Sequence, residues 1–151
     1  MTPSKIHALE AGPETDRLVA EALYPEASVG WCAASGCGLE GDNDVMAIWD
    51  HPDHDSDWIP CPKYSSDWSA AMLAAEEFGL FKPIGGRCLY QLDSEPVKWA
   101  IGEPDPEGCP MIVASAEAGP LAICRAILKL AGERKRRTTK LTNGCQPTAF
   151  L

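Results

Sequence analysis

A chain of 151 residues, 45% hydrophobic with a formal charge of −9, is long enough for one domain with its own core. The acidic balance disfavours nucleic acid, whose phosphate backbone is bound mainly by basic surface. No apolar run of about 18 residues marks a membrane span and no basic-then-apolar leader marks secretion, so the expected setting is the cytosol.

The charge is uneven. Residues 133–151 hold five basic residues and one acid, a local +4 that leaves −13 on residues 1–132. This divides the chain into an expected domain, 1–132, and a basic C-terminal extension, 133–151. Seven cysteines, an odd number at irregular spacing, suit reduced thiols better than a secreted disulfide framework. Cys88 and Cys124 lie in apolar patterns and are expected to be small core residues.

In chain order, residues 1–12 read as a frayed start. Pro13, Glu14 and Asp16 suit a first helical turn, and Leu18, Val19, Ala22 and Leu23 form a stripe that Pro25 ends, predicting a helix over about 14–23. Residues 25–63 are the least regular part, rich in Pro, Gly, Asp and Cys. One short strand is predicted at 45–49, VMAIW, with 50–63 as extended chain, since residues before prolines avoid helical geometry.

The clearest helix signal is YSSDWSAAMLAAEEF at 64–78. Ser65 or Ser66 suits the N-cap, Asp67 suits the positive helix end, and Gly79 is a stop. Trp68, Ala71, Met72, Ala75 and Phe78 recur at intervals of three and four and predict one buried face, with Glu76 and Glu77 on the solvated side. Residues 87–92 and 97–101 alternate as half-buried strands joined through Asp93–Pro96 as a hairpin, 104–108 is a turn, and 111–115 is a third strand. Gly119-Pro120 opens a last helix in which Leu121, Cys124, Ile127, Leu128 and Ala131 share a face.

Three segments, EAGPETDRLVAEAL at 10–23, YSSDWSAAMLAAEEFG at 64–79 and AEAGPLAICRAILKLAG at 116–132, resemble small bacteriophage proteins with the phage ABA sandwich domain. The resemblance runs over about 10–132. It implies an α/β (α+β) fold, a three-layer α/β/α sandwich with a mostly antiparallel sheet, working in the cytoplasm of an infected bacterial host. The family name describes a fold, so it supplies no catalytic residues.

Several clusters carry chemistry on paper. Cys32, Cys37, His51, His54 and Cys61 are weak candidates for a zinc site, because thiolates and imidazoles are its ligands; their spacing fits no common zinc pattern, and loop thiols with solvated histidines is the plainer reading. Asp53, Asp55 and Asp57 start like a calcium loop, but Trp58 and Tyr64 stand where a glycine and a bidentate acid are required. Gly85-Gly86 is too short for a phosphate loop, and no nucleophile elbow is present.

The residues chosen as ligand contacts are Trp49 and Trp58, as flat rings for a nucleobase, Arg87 and Arg125 as phosphate partners, and Tyr64 and Ser65 at a helix start. Core packing is the competing role for the tryptophans. For Arg125 it is a place in solvent or beside a carboxylate. The expectation is a phage accessory binding protein without enzymatic activity or cofactor. It would be an anti-defence sponge for a nucleotide-derived immune signal, with a homo-oligomer compatible. The alternatives are a module that inhibits a host protein and a metal-dependent hydrolase.

Overall fold

The computed structural model describes residues 1–39, 43–52, 54–81, 86–103, 107 and 111–144. Asp53, Gly85, Cys109, Cys145 and, apart from Glu107, the predicted turn at 104–108 lie outside the described residues. In order the elements are α1 (Pro3–His7), α2 (Pro13–Leu23), β1 (Ser28–Ala33), α3 (Ala34–Cys37), β2 (Asp44–His51), β3 (His54–Pro60), α4 (Trp68–Phe78), β4 (Cys88–Leu92), β5 (Lys98–Glu103), β6 (Met111–Ala116) and α5 (Gly119–Gly144).

The fold is α+β with antiparallel strand pairing throughout the described sheets, as expected. The strands form two three-stranded sheets, β1-β2-β3 and β4-β5-β6. In the first, Val29, Ile48 and Ile59 stand in one cross-strand row and turn into the core. In the second, Leu89, Ile101 and Ala114 do the same. α2 packs on β1 and β2, α5 packs on β5 and β6, and the two helices pack on each other, joining the sheets through one core.

α5 is the centre of that core. Leu121, Ala122, Ile123, Cys124, Ala126, Ile127, Leu128 and Leu130 are all buried, a distribution around the axis that belongs to a helix enclosed on most sides. The helix continues without a break beyond the stripe that predicts it, so the basic run Arg134–Arg137 is helical and exposed.

α4 begins at Trp68 because Asp67, rather than Ser65 or Ser66, is the N-cap: its carboxylate accepts from the Ala70 N–H at 2.7 Å. It ends at Gly79, whose φ of 72° is left-handed, while the Leu80 N–H reaches the Ala75 carbonyl at 2.8 Å. Its buried stripe is Ala71, Ala74 and Ala75, which permits close approach to α5; Trp68, Met72 and Leu73 are exposed. The broad buried face expected of Trp68 and Met72 is thus replaced by a narrow alanine one.

Further departures concern short elements and one cysteine. Residues 3–7 form a helix that buries Ile6, and β1, α3 and β3 occupy the stretch read as irregular. Cys88 is exposed, because its place on edge strand β4 points it away from the Leu89 row, while Cys124 is buried as expected. Cys32 and Cys37 form a disulfide with a Cα–Cα separation of 6.4 Å, unlike the expected reduced thiols: α3 is one turn long and folds Cys37 back beside the end of β1.

Candidate functional site

The residues chosen from sequence fall in four separate places. Ser65 is fully buried: its hydroxyl accepts from the Gly12 N–H at 2.9 Å, and its own N–H donates to Asp16 Oδ1 at 2.7 Å. It fastens the approach to α4 onto the start of α2. Arg125 is also engaged by the fold, donating to the carbonyls of Ser115 at 2.8 Å and Leu9 at 2.5 Å. That replaces the expected solvent or carboxylate partner, and burial lowers the guanidinium pKa against a raising influence of Glu117.

Arg87 pairs with Glu103 at 2.7 Å and lines a small cavity of about 200 Å³ with Arg134 and Arg137. Trp49 and Trp58 are cross-strand partners with ring centroids 5.3 Å apart. They lie on the face of the first sheet opposite the Val29–Ile48–Ile59 row. Neither tryptophan lines a described cavity, and Arg87 and Arg125 line different ones. A single site with both arginines over both rings is not what the fold assembles.

The metal candidates also separate. Cys32 and Cys37 are joined to each other, Cys61 is half-buried, and His51 is buried with its ring edge-on to Tyr24 at 4.2 Å. The side chain of His54 lies outside the described residues. Among the described residues no three of His, Cys, Asp and Glu converge as a metal site. Burial, with Asp16 nearby, pushes the Cys61 thiol up to about 12, which leaves it a poor nucleophile near neutrality.

What the fold does build is a cavity of about 550 Å³ between α4, β2, β3 and the end of α2. Tyr24, His51 and Tyr64 supply rings, Ile48, Ile59, Pro62 and Ala74 supply apolar wall, and Glu76 and Glu77 also line it. The position of His51 depends on a local irregularity. The register of β2 against β3 shifts between Trp49 and His51, and Asp50 sits at φ 57°. The extra residue re-phases the strand, so that His51 joins Ile48 on the cavity side although three positions separate them.

Tyr64 enters from the segment before α4 and is 4% exposed. Burial, then the neighbouring Tyr24, Cys61 and Asp16, raises its phenol pKa, so it is held as a neutral donor and ring. Of the residues chosen from sequence as ligand contacts, only Tyr64 lines this cavity; His51 lines it as a wall ring instead of a metal ligand. Tyr24, Glu76 and Glu77 were missed. Tyr24 stands at a helix end before a proline, and the two acids carry the ordinary signature of a solvated helix face.

No family model matches this chain, and no curated protein matches it. A solved structure described as a phage protein from Bacillus cereus is similar over 88% of this chain and 89% of its own, at 18% identity and a TM-score of 0.45. Among the described residues no helix is long and apolar enough to cross a membrane.

Proposed function

We propose that the protein is a non-catalytic accessory protein that sequesters a small ring-bearing molecule. The observation that carries this reading is the Tyr24–His51–Tyr64 cavity, whose volume of about 550 Å³ suits a small-molecule site and whose walls are mostly apolar with a few polar groups. The resemblance to phage ABA sandwich proteins supplies the setting: an anti-defence sponge for a nucleotide-derived immune signal in the infected cell. The acidic residues of the cavity support entry of a base or other ring, with phosphates left outside.

Calorimetry and thermal shift against cyclic nucleotides, ADP-ribose derivatives and nucleosides test this reading. A ring-bearing compound should raise the melting temperature of the wild type and lose its effect in Ala70→Phe, which fills the cavity from a half-buried wall position. Absence of binding across the panel would sink it.

A second reading, a module that docks on a host protein, has its own support. Trp68, Met72 and Leu73 are 44%, 45% and 66% exposed on α4, and Met72 and Leu73 line a shallow apolar groove with Phe81. That reading expects a stable complex with a host protein that Met72→Glu and Leu73→Glu disrupt, with no response to small ligands.

A further inference from the structure

We propose that the Tyr24–His51–Tyr64 cavity selects an organic cation: an aromatic or aliphatic body carrying an ammonium or pyridinium charge. The inference rests on the sequestration reading and narrows its ligand. Three features of the cavity point the same way. Its rings, Tyr24 and Tyr64 above all, carry negative π faces, which attract a cation and not an anion of equal size. The ionisable lining side chains besides these rings are Glu76 and Glu77, both exposed; no Lys or Arg is among the lining residues.

The third feature is the helix itself. Glu76 and Glu77 sit in the last turn of α4, at the negative end of the helix dipole. Carboxylates and dipole therefore act together, and the penalty for an anionic group is correspondingly raised. The nearest sequence-adjacent cation, Lys63, is exposed and outside the lining. Tyr64 adds no charge of its own, since burial holds its phenol neutral. With a formal charge of −9 on the whole chain, the long-range field also favours approach of cations.

The test uses three ligands of nearly equal shape on the intact protein: tryptamine as cation, indole-3-ethanol as neutral body and indole-3-acetate as anion, each by calorimetry at low salt. Tryptamine should bind about 2- to 5-fold more tightly than the alcohol, as expected for one exposed favourable charge contact. The acetate should bind most weakly. The double variant Glu76→Gln/Glu77→Gln changes only exposed positions, so it should fold normally and lose the preference for tryptamine over the alcohol.

Equal binding of all three ligands, or tighter binding of the acetate, overturns cation selection and leaves sequestration standing. Failure of all three to bind, while a nucleoside or nucleotide does, likewise overturns the cation and keeps the sponge. Failure of all three together with the nucleotide panel overturns both. Retention of the tryptamine preference in the double glutamine variant also overturns the proposal, because the carboxylates would not be its source.

Discussion

Gly119 opens α5 directly beneath an indole: a Cβ there would overlap the outer edge of the Trp68 ring. That ring also meets Trp99 edge-on at 5.1 Å, so Trp68 ties the start of α4 to the start of α5 and to β5. Gly119→Ala must push the ring outward. Because Trp68 is 44% exposed it can move, and the cost falls at the lower end of overpacking, about 1–2 kcal/mol. A urea midpoint measures it, together with a changed near-UV tryptophan signal; in a Trp68→Ala background the same glycine substitution should cost almost nothing. From sequence, Gly119 reads only as punctuation before Pro120, because the ring that requires it comes from a distant stretch. His51 shows the same limit. Its type and its spacing from His54 suggest a ligand, whereas the bulge at Asp50 that turns it into an aromatic wall leaves no mark beyond an aspartate, a residue that tolerates positive φ.

Among the elements, α2, α4 and most of α5 are legible because each is amphipathic or apolar over several turns and carries a proline start or a glycine stop. β1 and β3 are not, and both are edge strands. β1 contains Gly30 and β3 contains Asp55, Asp57 and Pro60, residues that an edge accepts and a central strand does not. The contact that sets α2 against α4 is equally hidden, since it joins Gly12 and Asp16 to Ser65 through one hydroxyl and one carboxylate. Asp16 is 5% exposed, so removing its carboxylate strands the buried Ser65 N–H. Asp16→Ala should cost about 1–3 kcal/mol in urea unfolding, the usual desolvation loss for an orphaned buried donor, and Asp16→Asn should recover part of it by keeping an acceptor oxygen. Because Ser65 precedes α4, the alanine variant should also weaken any ligand that requires Tyr64 in place. An unchanged midpoint in Asp16→Ala would show that the two helices are aligned by apolar packing alone.

On the scale of the molecule, composition divides the chain near residue 132, but the backbone does not. α5 runs from Gly119 to Gly144 as one helix, since arginine and lysine are good helix formers and Gly132 has open space around it. What ends near Leu130 is burial: beyond it the described side chains turn to the surface, and Arg134 rests on the Phe78 ring at 4.1 Å from its centroid. The boundary is therefore one of charge and packing. A protein ending after Gly132 should still unfold cooperatively, losing about 0.5–1 kcal/mol with the exposed cation–π contact. It would also lose the local +4 of residues 133–151, leaving −13 on a smaller body. Self-repulsion then rises, and salt screens it, so the truncated protein should gain more stability between low and high salt than the full chain does. Urea titrations of both proteins at two ionic strengths decide the matter. Loss of the cooperative transition on truncation would mean that the basic helix is part of the folding unit; equal salt responses would mean that its charge does not offset that of the acidic body in the full chain.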